Sequence, residues 1–201
     1  STGNHFVALH NFLNGNVTDM SICEKVYLNG TILPLEQAKI SPLDRAFLFG
    51  HAGYEVVTVY GGKFIDLKSH LSRLAKTLEG IAIPNPHTES EWEAIYQTLL
   101  NETGIVEGLI YLEVTAGAYD GREFAGPDQF IPTVFLYASV ASFIGETAEK
   151  GIGAIFLHDT RWKRRNMKTV QLVSQALAYR IAKQAGAGTA FLVEDDFVTE
   201  A

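Results

Sequence analysis

From Lys25 onward the chain alternates short runs of β-branched and aromatic residues with longer stretches of helical spacing. Val26, Tyr27 and Leu28, then Asn29-Gly30, then Thr31, Ile32 and Leu33 predict two strands joined by a hairpin. Asn-Gly suits the left-handed dihedrals of a type I′ turn. Residues 54–60 (YEVVTVY) predict a third strand, which Gly61-Gly62 turns back through Lys63, Phe64 and Ile65. Over 69–79 the spacing changes. Leu71, Leu74, Ala75 and Leu78 share one helical face, and Gly80 is placed to end it. Thr88 and Glu91 have capping-box spacing ahead of Trp92, Ile95, Tyr96, Leu99 and Leu100, which predicts a second helix. Strands are predicted over 109–115, 133–137 and 154–157. A helix is predicted from 169 to 184 on Val170, Val173, Leu177 and Ile181, broken by Gly186 and Gly188. A strand over 189–193 follows, and Phe197-Val198 returns across Asp195-Asp196.

Strands and helices are grouped rather than strictly alternating, which predicts an α+β, mixed α/β chain rather than a doubly wound sheet. Residues 1–23, rich in Asn and Gly near their start, read as an N-terminal extension. No lysine or arginine precedes the apolar part of 1–20, so a secretory or transit signal is not expected. Residues 24–140 read as a small N-terminal domain, 141–150 (ASFIGETAEK) as a linker, and 151–201 as the opening of a second, incomplete domain.

Composition narrows the function. With 47% hydrophobic and 19% charged residues, the 201-residue chain is not disordered. No apolar run reaches the roughly 20 residues of a membrane helix. A net charge of −7 repels phosphate backbones, which argues against nucleic acid as a partner. The single cysteine, Cys23, can neither close an internal disulfide nor build a cysteine-based zinc site. His51, His70, His87 and His158 are scattered, without metal-ligand spacing, so no metal is expected. The expectation is a soluble, cytoplasmic protein acting on small molecules.

Three residues carry candidate chemistry. The stretch 161–168 (RWKRRNMK) is basic at five of eight positions, and by pattern alone a solvated basic face is the plainer reading. Lys168, however, sits at the expected start of the 169–184 helix. The helix N-terminus and neighbouring guanidinium groups would both oppose its charge and favour a nucleophilic amine. Arg73 lies between apolar helix positions, where its planar fork suits a phosphate as well as a surface role. Glu200, beyond Val198-Thr199, is a strand-end carboxylate.

Four segments in order, DRAFLFGHAGYEVVTVY from Asp44, HLSRL from His70, RWKRRNMKTV from Arg161 and VTE from Val198, resemble the class IV (fold-type IV) pyridoxal-phosphate aminotransferases. The branch they resemble is the D-amino acid aminotransferases. The resemblance runs from about Lys25 to Ala201. It implies a two-domain fold and pyridoxal 5'-phosphate bound covalently through Lys168, which also serves as acid and base. It implies Arg73 on the cofactor phosphate, Glu200 facing the pyridine nitrogen, and Tyr54 on the substrate side. Arg122 lies near the family's carboxylate-binding arginine, although Phe124 stands where a histidine is common. The implied reaction moves an amino group from a D-amino acid to a 2-oxo acid, in a homodimer. An (R)-selective amine transaminase and an aminodeoxychorismate lyase share the fold. A branched-chain aminotransferase would show F-E-G-I-R where this chain has Tyr54-Glu55-Val56-Val57-Thr58. A shortened, non-catalytic family member is the alternative from another class.

Overall fold

A computed structural model of the chain describes residues 21–142 and 150–200. They form two units. One holds 21–142 together with 162–172; the other holds 150–161 together with 173–200. The expected linker falls mostly outside the described residues, as does most of the expected extension. Strand β1 (Ser21–Leu28) begins inside residues 1–23, because Ser21 and Ile22 already pair with Val140 and Ser139.

The larger unit is built on an antiparallel sheet. In chain order its elements are β1, β2 (Thr31–Pro34), α1 (Arg45–Phe49), β3 (Ala52–Tyr60), β4 (Lys63–Phe64), α2 (Leu67–Gly80), α3 (Glu89–Thr103), β5 (Gly108–Thr115) and β6 (Thr133–Val140). The strands lie in the order β2-β1-β6-β5-β3-β4. Asn29 and Gly30 take φ of 47° and 93°, the left-handed pair a type I′ hairpin needs. The Thr88–Glu91 capping box forms as predicted, and Gly104 closes α3 at φ 65°. Gly80 is instead the last residue of α2, with Ile81 as its cap.

Period-two alternation divides the sheet into two faces. Val57, Val59, Ile110, Leu112 and Leu136 point to the helices. There they meet Leu71, Leu74 and Leu78 of α2 and Trp92, Tyr96 and Leu99 of α3 in one core. Each such side chain contributes about 1.5–3 kcal/mol on burial. The opposite face carries an aromatic ladder, Tyr54–Tyr111–Tyr137, with ring centroids 5.7 and 5.0 Å apart.

The smaller unit contains β7 (Ala154–His158), α4 (Val173–Gln184), β8 (Thr189–Glu194) and β9 (Phe197–Glu200). Strand β8 pairs parallel with β7 and antiparallel with β9. Asp195 and Asp196 both take positive φ in the β8–β9 turn.

The largest departure from the sequence pattern concerns Lys168. Helix α4 starts at Val173, not at 169, so Lys168 is five residues outside it and gains nothing from the helix dipole. The backbone is otherwise engaged: Thr169 bridges Gly53, Tyr54 N–H donates to the Lys168 carbonyl at 3.0 Å, and Val170 N–H donates to the Ala52 carbonyl at 3.2 Å. These bonds extend the sheet beside β3 and hold 168–170 in an extended form that a helix would break. The segment bearing Lys168 therefore belongs to the larger unit, not to the second domain expected from 151 onward.

Candidate active site

Strand β3 and helix α2 bring the first group of residues together. Lys168 Nζ lies 3.2 Å from Tyr54 Oη and 4.3 Å from the centre of its ring. The lysine backbone N–H donates to Thr77 Oγ1 of α2 at 3.2 Å. No carboxylate bonds the Lys168 ammonium among the described residues. Its amine is thus positioned by a neutral phenol and left without a counter-ion, an arrangement suited to covalent attachment of a carbonyl.

Glu55 organises the other side of β3. It has the parity of Val57 and Val59, faces α2, and is 0% exposed. A carboxylate there must be paired. Arg73 supplies Nε at 2.6 Å and Nη2 at 2.7 Å in a bidentate fork, and His70 Nδ1 adds a contact at 2.8 Å. The bonds from Glu55 are the main cause that raises the Arg73 pKa above its ordinary value. The Arg73 side chain remains 50% exposed, and its Nη1 has no hydrogen-bond partner among the described residues. The guanidinium also lies within electrostatic reach of the Tyr54 phenol that holds the Lys168 amine. A guanidinium, a phenol and an amine suit a phosphorylated carbonyl compound such as pyridoxal phosphate.

In the smaller unit Glu200 is held by Arg161. Arg161 Nη1 meets Glu200 Oε2 at 2.5 Å, Nη2 reaches Asp159 Oδ2 at 2.9 Å and the Thr199 carbonyl at 3.0 Å, and Thr199 Oγ1 donates to Asp159 at 2.6 Å. Asp159 is buried, and its bonds are the largest influence raising the Arg161 pKa.

Arg122 has another place. It is exposed with its guanidinium 5.3 Å from the centre of the Phe49 ring, and no contact joins it to Tyr54 or Lys168 among the described residues. Sequence reasoning did not single out Glu55 as a site residue and read His70 by itself only as one of four scattered histidines. The available signal was an acid at a core-facing position of YEVVTVY, with His70 and Arg73 three apart on the next helix. No group of three or more His, Cys, Asp or Glu residues that could hold a metal occurs among the described residues. No helix among them is long and apolar enough to cross a membrane.

The chain is similar to known proteins of one family. The amino-transferase class IV family model matches residues 52–201. A D-alanine aminotransferase of Staphylococcus epidermidis is 31% identical over 176 residues, and one of Listeria monocytogenes serotype 4b is 32% identical over 179. In each case 88% of this chain and 62% of the relative are covered. The chain thus spans about three fifths of the length of these relatives. Among solved structures, a branched-chain amino acid aminotransferase of Escherichia coli aligns with a TM-score of 0.77 at 17% identity, covering 87% of this chain and 60% of that one. A hypothetical aminotransferase from Mycobacterium tuberculosis, in a form binding α-ketoglutarate and PMP, aligns at 0.72 and 20% identity, covering 86% and 62%. These likenesses establish the fold as that of fold-type IV aminotransferases. With three quarters of its length matched by the family model, the chain belongs to the class IV aminotransferases.

Proposed function

We propose that the protein transfers an amino group from a D-amino acid to a 2-oxo acid, with pyridoxal phosphate held on Lys168. The observation that carries this reading is the Lys168 amine, fixed 3.2 Å from Tyr54 Oη without a carboxylate partner. Family membership supports the cofactor, as does the PMP held by the Mycobacterium tuberculosis neighbour. The D-alanine aminotransferase relatives support the D-amino acid.

Bound pyridoxal phosphate supplies an electrophilic carbonyl and an electron-withdrawing ring. The chain's residues do the rest. Arg73 offers Nη1 to the phosphate, while Glu55 and His70 fix the fork from behind. Lys168 Nζ would hold the cofactor through its carbonyl and, when free of it, would accept and return a proton as acid and base. Tyr54 Oη steadies Nζ during that transfer. Glu200 is assigned the carboxylate that favours a proton on the ring nitrogen, with its orientation fixed by Arg161. The resemblance implies a homodimer, and the composition of the chain favours the cytoplasm.

A second reading, an amine donor without a carboxylate, is favoured by the position of Arg122 over Phe49. Turnover assays separate the two. The protein, supplied with pyridoxal phosphate and a 2-oxo acid, is given D-alanine, D-glutamate or (R)-1-phenylethylamine. Transfer from a D-amino acid that vanishes in Lys168→Ala is the expected result. Transfer from (R)-1-phenylethylamine alone moves the substrate class to the second reading. No transfer from any donor overturns both.

A further inference from the structure

The antiparallel bridge of Gly53 to Thr169 places Lys168 opposite Tyr54, and the β3–β5 register places Tyr54 opposite Glu113. The three side chains form one row across neighbouring strands on one face. Lys168 and Glu113 are two strand spacings apart, about 10 Å. The next row on that face is Val170, Ala52 and Thr115.

A cavity of about 600 Å³ is lined by Glu113 from the first row and by Thr115 and Val170 from the second. Its wall also includes Ile40, Pro42 and Phe47, and among the described residues its charged side chains are Asp44 and Glu113. Asp44 is fully engaged: Oδ2 accepts from Thr115 and Thr133 hydroxyls at 2.8 and 2.9 Å, and Oδ1 accepts from Ala46 N–H at 2.9 Å. Glu113 is not. Its Oε2 accepts from Tyr111 Oη at 2.7 Å, and Oε1 has no hydrogen-bond partner among the described residues. Desolvation, chiefly, and then the Asp44 charge raise the Glu113 pKa above its ordinary value. A half-buried carboxylate facing a second carboxylate across an apolar cavity, with no lysine or arginine among the described residues of its wall, is a cation-selective feature.

We propose that this cavity receives the far end of the amino donor and that Glu113 reads a second cationic group there, so the preferred donors carry two amines about five carbons apart. This rests on the transaminase reading, since Lys168 defines the near end. Asp44 and Glu113 together repel a distal carboxylate, and Phe47 and Val170 cover the aliphatic body between the amines. A monoamine of the same length fills the cavity but leaves Glu113 Oε1 unpaired.

The test compares 1,5-diaminopentane with 1-aminopentane. The protein is supplied with pyridoxal phosphate and no 2-oxo acid, so no catalytic cycle closes, and the affinity for each amine is read from the change it makes in the visible band of the cofactor. The expected result is about tenfold tighter binding of the diamine, the scale of one charge-assisted hydrogen bond. In Glu113→Gln, which keeps the acceptor for Tyr111, the two amines should bind within about twofold of each other. Glu113→Ala is measured alongside and should lose the preference in the same way if the glutamine variant does not fold. An equal preference in wild type and variant, no preference in wild type, or no binding of either amine overturns the proposal. Covalent cofactor on Lys168, read on the same samples, tells the two ideas apart. Its absence with the Glu113-dependent preference retained rejects the cofactor reading only, and its presence without that preference rejects the cation subsite only.

Discussion

Tyr54 Oη and Lys168 Nζ stand 3.2 Å apart although 114 positions separate them in sequence. Their contact is imposed by the backbone. Tyr54 N–H and the Lys168 carbonyl are bonded in an extended ladder, so both side chains leave the sheet on the same face. Removing the phenol should therefore loosen the amine without moving the chain. Tyr54→Phe is expected to lower the transamination kcat about tenfold or more, the worth of one well-placed hydrogen bond, with little change in melting temperature. Steady-state kinetics on matched donors checks this.

Arg73 depends on Glu55 for its aim. Arg73→Lys keeps the charge but loses the fork, so the affinity for pyridoxal phosphate should fall while the fold survives. Glu55→Gln should also weaken cofactor binding, and it should cost stability too, because a buried acceptor of three contacts is replaced by an amide that matches them poorly. About 1–3 kcal/mol is expected in urea unfolding. Loss of stability with unchanged cofactor affinity would remove Glu55 from the site.

Glu113 gives the larger unit a pH signature. Its folded pKa lies above the ordinary value of 4.5, so between those two values the folded state holds more proton than the unfolded chain. Stability from this group is therefore present below pH 4.5 and is lost as pH rises through the folded pKa. Melting curves from pH 4 to 7 should fall less steeply in Glu113→Gln than in wild type over that window.

Arg161 is the tie of the smaller unit. Its side chain is almost fully enclosed beside the buried Asp159. Arg161→Met removes the guanidinium that the buried Asp159 carboxylate bonds and should cost about 3–5 kcal/mol. Hydrogen exchange should locate the loss in β7, β8 and β9. Preserved protection there would contradict this role.

What the sequence made legible follows from how local each feature is. The Asn29-Gly30 turn and the Thr88–Glu91 box are decided by neighbouring residues, and both form as the pattern indicates. The helical spacing of Val170, Val173, Leu177 and Ile181 was misleading at its start. The backbone of 168–170 is claimed by β3, more than a hundred residues away, and no local pattern reports that ladder. Lys168 and Arg73 stand out as candidates by pattern and take their roles only from the ordered motifs that resemble the family. Glu55 and Glu113 were not singled out, since each is one acid within an apolar strand, and its meaning appears only when the facing residues are known. Arg122 was read by proximity to a family motif, and its loop places it over Phe49.

The central claim is that Lys168 carries the cofactor, and peptide mapping after borohydride reduction tests it most directly. The protein is supplied with pyridoxal phosphate, reduced, digested and analysed by mass spectrometry. The reduced cofactor on the peptide containing Lys168, and its loss in Lys168→Ala, is the predicted result. Modification of another lysine at equal yield, or of none, would contradict it.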